Sequence, residues 1–162
     1  MERKKKEKSL LGGTRFIMKF SELTLAQWEE WKPYLDTCLL PITGLNGYEN
    51  PIEASAKLEQ LRDWIELAET PFYGRMVTYP AYHFAVPADK GDSQWETVNR
   101  LVERLKKLGF KYVVVMSSHL DLAGELLPAA DLVLTPYSQA QSEYTQASDY
   151  IKANVVEMWT DS

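Results

Sequence analysis

Two histidines carry the clearest capacity for chemistry in this chain. His83 and His119 each follow an apolar run, and Asp121 lies two positions after His119. An imidazole titrates near neutral pH and binds metals, and a nearby carboxylate can share a metal ion with it or act as its acid/base partner. His119 and Asp121 are therefore the candidate metal ligands, and they would hold a divalent ion weakly because water would supply most of its coordination. Structural hydrogen bonding is the alternative role for both histidines. Asp121 also suits the N-cap of a short helix predicted from about Leu120 to Leu127.

Signatures of other chemistries are missing from the sequence. It contains no dinucleotide-type glycine turn, no Walker loop and no Gly-x-Ser-x-Gly elbow. Cys38 lies in an apolar run without an adjacent base, which predicts a buried structural thiol. The sequence favours a non-catalytic binding or accessory protein with no expected cofactor. The alternative is a metal-dependent hydrolase that uses His119, Asp121 and His83.

Helical patterns alternate with short apolar runs along the chain. Asn50-Pro51 and Ser93 begin two amphipathic helices, and Gly109 ends the second. The predicted strands are residues 37–42, 75–79, 112–116 and 131–135, with a loop at 81–91 and a polar stretch at 138–142 before a last helix. This alternation predicts a three-layer α/β fold, in which helices cover both faces of an open, mostly parallel sheet of about four strands.

The carboxyl ends of such strands are where open α/β sheets bind ligands. The candidate pocket at this edge is drawn from the segments that follow the strands. Its residues are Asn46, Tyr48, Tyr82, His83, Ser117, Ser118, His119, Asp121 and Tyr137. Exposed aromatic side chains would also suit a protein partner.

Length, charge and cysteine content restrict the class of protein. A chain of 162 residues with a net charge of −5 fits one domain and argues against nucleic acid and anionic membranes as partners. A single cysteine and the lack of a long apolar segment favour a cytoplasmic protein with no membrane span. A protein partner and a homo-oligomer both remain open.

The first 17 residues differ from the rest of the chain. They contain the basic cluster from Arg3 to Lys8 and little apolar surface, which predicts a flexible, solvated tail before a single α/β domain at 18–162. Gly12-Gly13 has the form of a translated ribosome-binding site, a hypothesis that would make Met18 the native start.

Two segments, Asp36 to Ile42 and Gly74 to Tyr82, resemble a bacterial family of unknown function, the YpiF-like proteins. This resemblance covers nearly all of the chain from Met18 onward and implies no activity.

A second segment, Leu108 to Asp121, resembles the creatininase-like metal amidohydrolases, which end the equivalent strand with a histidine turn. The resemblance implies a creatininase-like fold, with a flavodoxin-like sheet as the alternative, and metal ligands at His119 and Asp121. Asn46 and Tyr48 stand where that family has its Glu and His ligands, and no bridging Asp is found. The resemblance therefore implies half of a metal site.

Overall fold

The computed structural model describes residues 23–86 and 93–161. The helices are α1 (Leu25–Trp31), α2 (Pro51–Glu69), α3 (Ser93–Leu108), α4 (Pro136–Ala140) and α5 (Ala147–Thr160). The strands are β1 (Thr37–Leu45), β2 (Met76–Thr78), β3 (Tyr82–Phe84), β4 (Tyr112–Met116) and β5 (Leu132–Leu134), with a 3₁₀ turn at Gly124–Leu126. The expected tail at 1–17 lies outside the described residues.

Local signals explain where two of the helices begin. Thr24 and Gln27 form both halves of a capping box at α1. At α2, the Asn50 side chain accepts hydrogen bonds from the N–H groups of Ile52 and Glu53, and Pro51 fills the first helical position. The helix therefore starts directly beyond the carboxyl end of β1, where its first turn can contribute to a site.

The five strands form a parallel sheet in which four lie in the order β2–β1–β4–β5. The fifth, β3, lies on the same side of β1 as β2 and pairs with the later part of β1, from Ile42 to Leu45. This confirms the mostly parallel sheet predicted from the sequence, with β1 and β4 at its centre. The order changes direction between β1 and β4, because the chain first adds β2 on one side of β1 and later adds β4 on the other. Ligands of doubly wound sheets bind at such a switch point.

The two sheet faces carry separate apolar clusters. On one face, Cys38 and Leu40 of β1 pack with Val98 and Val102 of α3 and with Trp28 of α1. On the other face, Leu39 and its neighbours pack with side chains of α2 and α5, including Ala68, Ile151 and Val155. Alternate residues of β1 thus serve opposite layers, which confirms helices on both faces.

Two local predictions were wrong, and one short helix was not predicted. Residues 81–91 were expected to be a loop, but Tyr82–Phe84 forms β3 because it continues the pairing with β1 after the interruption at Pro80. The helix expected at 120–127 shortens to the 3₁₀ turn, whose N-cap is Ala123, so Asp121 caps no helix. The polar stretch at 138–142 overlaps α4, whose N-cap Thr135 accepts a hydrogen bond from the Ser138 N–H.

Candidate functional site

The loops after β1 and β4 meet at the carboxyl edge of the sheet. The strands run in parallel register, with Pro41 opposite Met116. Beyond this pair, Gly44 has a φ of +84°, and a Cβ atom at Gly44 would lie 2.6 Å from Leu120 Cγ. The close contact requires glycine, and it brings the end of β1 against the segment that follows β4.

A buried carboxylate organises the loop after β1. Glu49 accepts hydrogen bonds from the backbone N–H groups of Asn46 at 2.9 Å and Gly47 at 3.0 Å, and from Lys57 Nζ at 2.8 Å. Its side chain is 6% exposed. The Lys57 ammonium, followed by the Asn46 N–H, lowers the pKa of Glu49 to about 2, so this carboxylate is charged at physiological pH.

A buried hydroxyl stabilises the loop after β4. Ser117 Oγ accepts hydrogen bonds from the N–H groups of His119 at 3.3 Å and Leu120 at 3.0 Å. The neighbouring Ser118 Oγ is also inaccessible to solvent, but it has no hydrogen-bond partner among the described residues. A buried hydroxyl without a partner destabilises a protein by about 1–3 kcal/mol, so such groups often mark a position that a ligand or water completes.

His119 lies within the electrostatic field of the Glu49–Lys57 pair. His119 is exposed, but the partial desolvation of its ring lowers its pKa. The positive charge of Lys57 lowers this pKa further, and the negative charge of Glu49 opposes both effects. The net effect favours the neutral imidazole, which can both donate and accept a hydrogen bond. The switch point therefore combines an ion pair with two neutral polar groups, Ser118 and His119.

On the other side of β1, His83 forms a hydrogen bond at a β-bulge between β1 and the edge strand β3. Between Ile42 and Leu45, β1 uses one more residue than β3 uses between Tyr82 and Phe84. At this bulge, Thr43 Oγ1 lies 2.9 Å from His83 Nδ1, which fixes the ring and leaves Nε2 as its second polar atom. Tyr82 instead packs against the apolar cluster beneath α3.

The remaining predicted site residues differ in how they are presented. Asn46 Oδ1 accepts a hydrogen bond from the Tyr48 N–H, so its side chain stabilises the loop. Tyr48 is 92% exposed and Tyr137, in α4, is 55% exposed. Asp121 is also exposed. Phe84, which the sequence did not single out, is 64% exposed at the end of β3. This edge therefore presents aromatic surface around the polar switch point.

The described residues contain no cluster of three or more His, Cys, Asp or Glu side chains placed to hold a metal ion. The pairing of His119 with Asp121 on a metal ion stays a prediction. Cys38 is fully buried, and burial raises the pKa of its thiol well above the usual range, which suits a packing role.

Sequence reasoning missed Glu49 and Lys57. Glu49 precedes the helix cap, and Lys57 lies on the second turn of α2, so their spacing matches no helical pair. They meet because the loop folds back over the start of the helix. The turn residues Asn46-Gly47 were the available signal, since a turn there could return the chain towards α2.

A separate apolar cavity of about 340 Å³ lies beneath α1. It is lined by Leu23, Thr24, Leu25, Trp28, Val77, Tyr79, Leu108 and Phe110. None of the predicted site residues contributes to it. In the described parts of the chain, no helix is long and apolar enough to cross a membrane.

Comparison with known proteins identifies a family. A family model described as protein of unknown function (DUF2487) matches residues 26–125. The chain belongs to this family. The match spans β1, α2, α3 and β4, and so includes both loops of the switch point. This DUF2487 membership confirms the expectation of a family of unknown function. No curated protein and no solved structure matches the chain. The resemblance to creatininase-like enzymes stays a prediction.

Proposed function

We propose that this DUF2487 protein is a non-catalytic binding or accessory protein whose ligand docks at the carboxyl edge between β1 and β4. The observation that carries the proposal is the Ser118 hydroxyl, which is buried without a partner among the described residues. A ligand that hydrogen-bonds to Ser118 would remove the cost of that burial and gain affinity from it. His119, on the next residue, would supply the second polar contact.

The proposal places the protein in the cytoplasm and assigns it no resident cofactor. Its single cysteine, which is buried, gives no sign of dependence on an oxidising compartment. Catalysis by a bound metal would need further protein ligands around His119 and Asp121, and none is clustered there among the described residues. The aromatic side chains Tyr48, Phe84 and Tyr137 would widen the surface for a protein partner.

The test is a two-dimensional NMR titration with small neutral amides and alcohols at millimolar concentration. We expect the backbone signals of Ser118 and His119 to shift, and Ser118→Ala to weaken binding severalfold. Ser148→Ala, a serine on the first turn of α5, is the matched control and should leave binding unchanged. Shifts confined to the apolar cavity near Trp28, or equal binding by Ser118→Ala, would contradict the proposal.

A zinc titration of the same samples addresses the hydrolase alternative. The proposal expects no tight zinc binding by the parent protein. Stoichiometric zinc binding that is lost in His119→Ala would favour the metal-dependent hydrolase over the non-catalytic proposal. Only a real ligand set would respond to removal of the imidazole.

A further inference from the structure

The loop from Asn46 to Glu49 has the construction of an anion-binding site. Two successive backbone N–H groups, those of Asn46 and Gly47, donate to the same carboxylate. Gly47 has a φ of +92°, a left-handed conformation that helps the amides converge. Lys57 Nζ adds a positive charge 2.8 Å from the same carboxylate. Backbone amides and a lysine are the groups that hold phosphates in many proteins.

The position of this loop makes its occupant important. It is the first strand-to-helix loop of a doubly wound sheet and lies at the switch point, where such sheets commonly bind anionic ligands. In this chain the occupant is the carboxylate of Glu49, which follows Gly47 by two residues and Asn46 by three. The groups that could receive a ligand anion are therefore already engaged by an anion of the protein itself.

We propose that Glu49 is a specificity-determining residue, a built-in anion that closes this loop to phosphates and carboxylates, so that the edge takes an uncharged polar ligand. This inference rests on the proposed function, because it names the ligand class of the same edge. An incoming anion would have to break the charge-assisted bond to Lys57 and the two amide bonds before it gained any of its own. An uncharged ligand at Ser118 and His119 leaves all three intact.

The charge of Glu49 supports the same ligand class. Its carboxylate is negatively charged and uses the nearby Lys57 as its counter-ion. A second anion at this edge would be repelled by Glu49 and would find that lysine already paired. The net charge of −5 adds a weak repulsion over longer distances.

The experiment is a titration of inorganic phosphate into ¹⁵N-labelled parent protein and Glu49→Ala. We expect no saturable shift of the Asn46 and Gly47 amide signals in the parent, and saturable millimolar binding in Glu49→Ala. Adding Lys57→Met to that variant should weaken phosphate binding about tenfold, as expected for the loss of a charged contact. Glu59→Ala removes the same charge from an exposed position on α2 and should behave like the parent.

Two outcomes would overturn the inference. One is saturable phosphate binding by the parent at Asn46 and Gly47, and the other is a folded Glu49→Ala protein that gains no phosphate binding. If Glu49→Ala fails to fold, Glu49→Gln replaces it, since the amide oxygen still accepts from the loop N–H groups. Glu49→Gln should then show saturable phosphate binding that the parent lacks, and no gain would refute the inference. The neutral-fragment titration at Ser118 tests the proposed function independently, so either idea can fail alone.

Discussion

His119 shows how single charges shape this edge. Its imidazole responds to a cation and an anion that are themselves bonded to each other, so the two influences oppose one another. Because the folded state takes up the imidazole proton less readily than the unfolded chain, His119 makes the folded state less stable as pH falls below about 6.5. Loss of the cation should therefore raise the pKa of His119, and loss of the anion should lower it.

We expect NMR titration to give His119 a pKa below the ordinary histidine value. Lys57→Met should raise this pKa, because a cation that opposes protonation is lost, and Glu49→Gln should lower it. Lys107→Met, at the end of α3, is the control for a change in net charge. An unchanged His119 pKa on Lys57→Met would show that the imidazole does not sense this pair.

Ser118 should show opposite effects on stability and on binding. Its buried hydroxyl has no partner in the described structure, so Ser118→Ala should leave the free energy of unfolding unchanged or raise it by up to about 1 kcal/mol. Ser117→Ala is the contrast, since that hydroxyl accepts two backbone hydrogen bonds, and it should lower stability by about 1–2 kcal/mol. Urea unfolding measures both. A loss as large for Ser118→Ala would mean that its hydroxyl has a structural partner.

At the scale of elements, the sequence predicts structure where one segment carries its own signal. The apolar stripe of α3 and the β-branched run of β4 need no knowledge of distant residues, and both elements form as expected. In contrast, β3 is only three residues long and is defined by pairing with β1, and the leucines at 120, 122 and 127 are buried by tertiary packing without a full helix. The Glu49–Lys57 pair was missed for the same reason, because the fold of a loop brings it together.

Gly44, near the end of β1, is the position where the candidate site depends most on a glycine. Gly44→Ala should destabilise the protein by about 2–4 kcal/mol, because the left-handed φ is costly for alanine and its Cβ would collide with Leu120. Gly74→Ala provides a matched control with a φ of +85° and no atom within 4 Å of the added Cβ. It should cost only about 1 kcal/mol. Equal losses in urea unfolding would show that the contact with Leu120 is not tight.

The last helix is attached to the sheet by a polar network at the amino end of β1. Arg75 pairs with both oxygens of Asp36, at 2.9 and 3.1 Å, and its guanidinium lies 3.8 Å from the centre of the Trp159 ring. Trp159 Nε1 donates to Thr37 Oγ1 at 2.9 Å. Because Arg75 and Asp36 are partly exposed, the ion pair and the ring contact together contribute only about 1 kcal/mol.

Arg75→Met should therefore lower the free energy of unfolding by about 1 kcal/mol and change the near-UV signal of Trp159. Arg100→Met is the matched control, because Arg100 and Glu96 are both exposed and their closest atoms are 3.8 Å apart. It should change stability by only a few tenths of a kcal/mol. Equal effects of the two substitutions in urea unfolding would mean that the network does not hold α5.

At the scale of the whole molecule, the central strands β1 and β4 each contribute side chains to both apolar clusters. Leu40 faces the cluster covered by α1 and α3, and Leu39 faces the cluster covered by α2 and α5. Neither cluster can lose its packing without exposing one side of the same central strand. This arrangement predicts that both layers unfold together, as expected for a small domain with a shared sheet.

Tryptophan fluorescence can test this, because Trp95 belongs to the first cluster and Trp64 to the second. Two variants, one retaining only Trp95 and one only Trp64 of the five tryptophans, should give urea transitions that coincide with their own far-UV circular dichroism transitions. Leu39→Ala, a deletion of buried side chain on one face, should lower the midpoint reported by either tryptophan and cost about 2–5 kcal/mol. If only the Trp64 transition moved, the two layers would be independent and β1 would not couple them.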